Sequence, residues 1–597
     1  MDYSSSKSSI LIECPEASMY KTDKEEGWNF QKRRSEQWTE NYTLYRDTVI
    51  YNRLTQRQSV HVPLMKMSLK TLLAQYDDMP LVVFEELGND KEKEAFLNGY
   101  WEVTGNENKF VIQDLVDKKQ EEFFGRTYDQ WQVIDGKIKQ TITPTEDILV
   151  SRYVNPIDIH SSRYLIHLNI FVPLSVLEQN EDYDKEAIAR LAEWFTTEQG
   201  LEQAKENQEQ YMSKQQKMSD LGLTDAFDPI IGETMVEIAL YFKWGVNREG
   251  KGQEIYLTVL AQGTEKLMSK ALEEVIGETE DHFWRYHYPY NSWAGDIDIM
   301  DWYTDGVADV VRGSNKIIDT YHSQKVENRV MRGFGMHYYN GAIDGAETWA
   351  PQTFEPQSFG WYKVPGNPND IIKKVDIPEL GDVEGDIKFI MDINERATAG
   401  TSSLQGVQGG RQITLGEVKI DLVEAKERIK GMSIFYNQVW HERALMFLKL
   451  IEAAHDRLDA VKIYKKGRNT DNLFERTIEP KDWMSESGYR VRIWSQSEKS
   501  TKDAQDLEKL NALRGSMPNN PKVQEIYNRR LAEWAQLTPD EIKEIMDFED
   551  QQREAIQAAA QAAAMGMGGG VNTPSSAPPP QLPINPAPTQ MEGGPLG

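Results

Sequence analysis

Residues 398–455 read TAGTSSLQGVQGGRQITLGEVKIDLVEAKERIKGMSIFYNQVWHERALMFLKLIEAAH, and two opposed kinds of chain meet there. Residues 398–412 hold four glycines and one charge, Arg411, so the backbone is free to bend and to pass close to another surface. Thr414 and Glu417 then form a T-x-x-E capping box, whose side chains satisfy orphan amides at a helix start. Leu415, Val418, Leu422, Ala425, Ile429, Met432, Tyr436 and Val439 recur at spacings of three and four. Trp440, Ala444, Phe447, Leu448 and Ile451 continue the stripe on a slightly rotated face. Unbroken, a helix over 414–455 extends about 60 Å, with Gly431 a candidate kink.

Upstream the period alternates between helix and strand. Residues 31–60 predict a helix, and residues 1–30 a loosely held polar arm. After Pro63, a helical face restarts through Leu64, Met67, Thr71 and Leu72. Residues 107–125 predict a helix with Val111, Leu115 and Phe123 on its apolar side. Asp135-Gly136, flanked by alternating residues, predicts a hairpin within a strand region at 127–175. Residues 184–219 predict a helix with an almost wholly polar second half, solvated or packed only on a partner. The segments MVEIALYFKWGV and QEIYLTVLAQG predict a second hairpin over 234–262. Residues 300–332 predict a helix, 337–385 an irregular proline-marked stretch, GDIKFIMDINERA a short helix, and 489–495 a strand. Helices follow near 502–513, 521–535 and 539–564. Residues 565–597, rich in Gly, Pro and Ala, cannot build a core. The fold class expected is α+β, predominantly α-helical.

Composition removes several classes. Across 597 residues, 67 Lys+Arg stand against 95 Asp+Glu, a formal net charge of −28, so no general basic coat grips nucleic acid. The single cysteine, Cys14, excludes a disulfide framework and any multi-cysteine zinc site, and suggests a reducing compartment. No run approaches the roughly 18 apolar residues of a membrane span. No basic stretch leads into an apolar block at the N-terminus, so no signal peptide is expected.

Reactive constellations do not stand out. The sequence holds no G-x-x-x-x-G-K-[ST], no G-x-S-x-G and no H-E-x-x-H. The glycines at 406–410 lack both the lysine and the preceding strand of a phosphate-binding loop. His282 and His287, five apart among aromatics, are expected to pack with Phe283, Trp284 and Tyr288 rather than to bind a metal. His441 and His455 read as ordinary residues of the long helix. With 95 carboxylates, a pair for glycoside hydrolysis signifies nothing without geometry. Trp194, Trp244 and Trp440 sit beside apolar neighbours and read as core.

The order of these parts resembles the portal proteins of tailed double-stranded-DNA phages, over roughly residues 30–540. The resemblance is carried by RQSVHVPLMKMSLKTLLAQY, the turn YVNPIDI at Val154–Ile159, the hairpin MVEIALYFKW…EIYLTVL and the proline-marked HYPYNSW at 287–293. It is carried further by DGVADVVRGSNKIIDTYHSQKVENRVMR, and by the loop and long helix quoted first.

The resemblance implies a phage portal fold with clip, stem, wing and crown, assembled as a twelve-subunit ring at one capsid vertex. By order, 1–30 is the arm and 31–233 the first part of the wing, which holds any first stem helix, sought within 184–222. Residues 234–299 are then the clip, 300–335 a stem helix, and 336–395 an irregular part of the wing. The channel loop is 396–413, with Thr401, Ser402, Ser403, Leu404, Gln405, Gly406, Val407, Gln408, Gly409, Gly410 and Arg411 as its candidate residues. Residues 414–499 are the spine helix of the wing with the segment after it, 500–564 a helical crown, and 565–597 a disordered tail. Implied partners are double-stranded DNA passing without sequence-specific binding, the terminase large subunit, the head–tail adaptor, the major capsid protein and a scaffolding protein. No cofactor, metal or catalytic residue is implied. The expected location is the virion vertex, and the host cytoplasm during assembly.

Twelve copies would carry −336 formal charges, a field that repels phosphate, while the loop offers it almost no cationic adhesion. The competing readings are a carboxylate-dependent hydrolase and another virion part, an adaptor or internal core protein.

Overall fold

A computed structural model describes residues 15–494, apart from 47–50, 53–56, 59, 74–78, 89, 223–232, 247–251, 335–336, 340–371, 375–378, 399–414, 467–472, 480–481, 483 and 486, together with residue 509. The chain is mixed α+β. The helices of the region 15–222 are α1 Pro15–Tyr45, α2 Leu64–Leu73, α3 Lys91–Glu107, α4 Phe110–Phe124, α5 Leu174–Gln179, α6 Lys185–Trp194 and α7 Glu198–Leu221. Later come α8 Leu272–Ile276, α9 Val307–Phe334, α10 Val383–Thr398 and α11 Leu415–Ala454. The crown and tail expected at 500–564 and 565–597 lie outside the described residues, Lys509 apart, as does Cys14.

Two sheets organise the region 127–293. Strands β6 Ile148–Val150, β7 Tyr164–Pro173, β8 Met235–Val246, β9 Gln253–Ala261 and β10 Glu265–Ala271 form one antiparallel sheet in the order β10-β9-β8-β7-β6. Strands β4 Thr127–Ile134, β5 Lys137–Thr143 and β11 Tyr290–Trp293 form the other, in the order β11-β4-β5. Both predicted hairpins are present. Asp135 and Gly136 both take positive φ, 49° and 71°, which the tight β4–β5 turn requires. The β8–β9 arms pair from Ile238↔Ala261 to Val246↔Gln253. Among smaller pairs, β1 Tyr51–Asn52 joins β2 Arg57–Gln58, β14 Val461–Lys466 joins β15 Leu473–Ile478, and β3 Leu81–Glu86 joins β16 Tyr489–Trp494 across some 400 residues of chain, of which the sequence pattern had signalled only the second strand.

Residues 234–299, the clip of the resemblance, carry β8, β9, β10 and β11. Strands β8, β9 and β10 share a sheet and a hydrophobic core with β6 and β7, because both arms of the hairpin are apolar enough to be covered. From Pro15 onward the chain differs from the loosely held arm expected at 1–30. Helix α1 begins at Pro15 and ends at Tyr45, and Ala17 and Tyr20 are buried against Tyr164, Tyr241 and Leu260. Tertiary ion pairs explain why a polar segment folds there: Lys266 with Glu16 at 2.9 Å and Lys243 with Asp23 at 2.6 Å. The polar helix expected at 184–219 is two helices, and Thr197 caps the second by accepting from the Gly200 amide. Helix α7 packs on its own chain: Asn207 donates to the Met235 carbonyl, and Lys214 and Lys217 pair with Asp147 and Glu146.

Histidines seal the seam between the sheets. His160 accepts from the Tyr288 amide through Nδ1 at 3.1 Å, and His167 Nδ1 bonds the Tyr290 hydroxyl at 2.9 Å. His287 stacks on Phe283 with centroids 3.9 Å apart, as its aromatic surroundings in the sequence led us to expect. His282 instead bonds Glu273, and Trp194 and Trp244 are only partly buried. Burial pushes His160 and His167 down to about 3, aided by His287 and Lys214 respectively. The folded state therefore holds both rings neutral, while the unfolded chain protonates them near pH 6.5. Stability is present above pH 6.5 and is lost as pH falls toward 3. Between pH 7.5 and 5, each ring costs about 2 kcal/mol. Replacing His160 by Asn, whose oxygen can accept from Tyr288, should remove about that much of the acid sensitivity in urea unfolding at the two pH values.

Candidate functional site

The channel-loop candidates Thr401–Arg411 lie outside the described residues, as does Thr414 of the capping box. The structure gives the elements that lead into and out of that segment. Helix α10 ends at Thr398, and α11 begins at Leu415 and runs 40 residues, unbroken through Gly431, about 60 Å.

Helices α9 and α10 lie side by side and antiparallel. Lys325 meets Glu384 at 2.5 Å, and Arg332 meets Glu379 at 2.8 Å. The pairings descend α9 as they retreat along the returning chain. Each cation holds its partner carboxyl below the usual range. At the far end, β12 His337–Tyr339 pairs antiparallel with β13 Ile372–Lys374. At the near end, Asn315 and Asp319 of α9 accept from the Met65 and Val62 amides, and Asn394 of α10 donates to Ser68. The result is a two-helix stalk rooted on α2, with the β12–β13 pair at its far end. Val310 and Ile317 on α9, and Phe389 and Ile393 on α10, remain exposed.

Behind the stalk, α11 is fixed by a buried polar cluster that the sequence patterns did not reveal. Arg443 Nη2 donates to Asp117 Oδ2 at 2.8 Å and to Asp129 Oδ1 at 2.9 Å, and its Nε donates to the same Asp129 oxygen at 3.1 Å. All three side chains are at most 1% exposed. Trp293 and Thr127 donate to Asp117, and Trp131, Gln140 and Asn291 to Asp129. Tyr436 donates to Asp114, which also holds Lys118 at 2.6 Å. Burial works against the Arg443 charge, but the two carboxylates outweigh it and hold the guanidinium above its usual range. Burial likewise pushes the Asp117 carboxyl up, against the pull of Arg443.

Helix α4 buries Phe110, Phe123 and Phe124 as its period predicts, but it buries polar side chains between them. Its buried face carries Asp114, Asp117, Lys118, Gln120 and Glu121. Val111, Ile112 and Leu115, two of which the sequence placed on the apolar core side, stand outside. The physical reason is the demand of Arg443 and the sheet for acceptors, which outweighs burial of three aliphatic side chains. The one sequence signal was the run of Asp and Gln interleaved at helical spacing with the apolar residues. The cluster has the acids of a hydrolase but not its access, because both carboxylates are sealed from solvent. No group of three or more His, Cys, Asp or Glu suited to a metal occurs among the described residues. None of the described helices is long and apolar enough to cross a membrane.

No protein-family model matches the chain, and no curated protein matches it.

Removing the guanidinium strands two buried carboxylates. Arg443→Met should cost about 3–5 kcal/mol in denaturant unfolding, and adding Asp117→Asn and Asp129→Asn to it should recover part of that loss. Equal stability of the single and triple variants would contradict this role of the cluster.

Proposed function

We propose that this chain is the subunit of a phage portal, the head-to-tail connector. In this reading, identical copies form a ring at one capsid vertex. Double-stranded DNA passes through it during packaging and ejection, and the terminase motor and tail adaptor dock on it in turn. The major capsid protein surrounds the ring, and a scaffolding protein assists assembly.

One observation carries the reading. An antiparallel helix stalk, α9 with α10, leads directly into an almost uncharged glycine-rich segment and then into one long helix, α11, whose C-terminal half packs in the core. A conduit needs those three things in succession. It needs a stalk to hold a docking segment away from the body, a segment that passes phosphate without gripping it, and a fixed spine to brace that segment. The stem is then α9 with α10, rather than a helix within 184–222, which packs on the sheet. The docking end is 335–382, rather than 234–299, whose strands are built into the body. The net charge of −28 supports passage without adhesion.

Negative-stain images of the purified full chain should give class averages with closed rotational symmetry, and the chain should show no ATPase activity of its own. Single molecules under every assembly condition would overturn the reading. So would a solved ring with residues 398–412 on its outer rim.

A further inference from the structure

Helix α4 leaves an apolar stripe that the described residues do not cover. Val111 is 65% exposed, Leu115 47% and Ile112 45%, and Met67 of the adjoining α2 is 51% exposed. Lysines frame the stripe. Lys109 precedes it and Lys70 lies on α2, both exposed, while Lys119 comes about one turn after Leu115. Lys119 is held below its usual range by burial and, against the pull of Glu122, by the nearby charges of Lys70 and Lys66. In a chain of net charge −28, this is a local excess of positive charge beside an uncovered apolar surface.

The complementary surface is on α7. Glu198, Glu202, Glu206 and Glu209 recur at spacings of four, four and three along one exposed face, with Lys205 the single cation among them. Leu201 and Met212, 54% and 40% exposed, run along the edge of that face. The two surfaces cannot neutralise each other within one chain. Gly222, at the end of α7, lies beside the Lys119 ammonium. Leu201 is 21 residues back along the helix, about 30 Å away.

We propose that the α4 face bearing Val111, Ile112 and Leu115, framed by Lys70, Lys109 and Lys119, is the contact surface for the acidic face of α7 on a second copy of this chain. The two surfaces differ, so the contact is heterologous. Each copy keeps one free surface of each kind, and repetition closes into a ring when the rotation fits. Charge selects this pairing over α4 against α4, which would set lysines against lysines. The inference rests on the ring reading above and names its subunit contact.

The test uses the full chain in sedimentation velocity and negative-stain microscopy. Val111→Glu with Leu115→Glu should weaken assembly about tenfold or more, with thermal melting of the exposed-site variant staying close to that of the parent. Lys70→Glu with Lys109→Glu, and separately Glu202→Lys with Glu206→Lys, should each weaken assembly, and a mixture of the two variants should restore it in part. In a Cys14→Ser background, Leu115→Cys with Leu201→Cys should give a disulfide-linked ladder of copies on oxidation. Parent rings accompanied by normal assembly of the glutamate variant and no ladder would overturn this contact and leave the ring standing. A parent chain that never assembles would overturn both.

Discussion

One guanidinium sets the geometry of the region around α11. Arg443 joins Asp117 on α4 to Asp129 on β4, positions more than 300 residues earlier in the chain. Buried ion pairs are not efficient stabilisers, since desolvation of the charges offsets most of their attraction. What they contribute is specificity. A planar fork with acceptors on two elements admits one rotation of α11 about its axis. That rotation also places Trp440, Phe447 and Tyr436 among Trp101, Phe110, Phe84 and Trp293. The direction from which the chain enters α11 at Leu415 is thereby set by a contact seven to eight turns away.

The burial of polar side chains along α4 is the other side of the same constraint. Asp114, Asp117, Gln120 and Glu121 are inside together with Phe110 and Phe124, while Val111, Ile112 and Leu115 of the first turns stand outside. The exposed stripe thus accompanies the burial of polar groups on the same helix. The same reasoning explains how a segment can carry a helical period without stating which face is buried. Period is local, whereas the facing environment is supplied by residues hundreds of positions distant.

What was legible in the sequence divides along that line. The Asp135-Gly136 turn, the β8–β9 hairpin, α9, α10 and the long helix were readable because capping, turn chemistry and periodicity act over a few residues. The start of α1 was not, because its polar residues are held by lysines on β8 and β10. Strand β3 was not, because its partner β16 lies at the other end of the described chain. The break between α6 and α7 was signalled only by Thr196-Thr197, whose capping role emerges once Gly200 packs on the Trp194 carbonyl. For the candidate loop the sequence remains the whole description, and only its anchors, Thr398 and Leu415, are placed by the fold.

The stalk and the body are held by different physics. Around Arg443, charges are sealed and solvent ions do not reach them, so the arrangement is insensitive to salt. Along α9 and α10, Lys325–Glu384 and Arg332–Glu379 are exposed and are screened at physiological ionic strength over a Debye length of about 8 Å. Their helices still share Ile318 and Ile387 in the core at the root. The stalk is therefore pinned where it meets the body and adjustable toward β12 and β13. In the proposed ring this division suits both ends. The root must keep one geometry in every copy for the ring to close, whereas the far end must meet a motor first and an adaptor later.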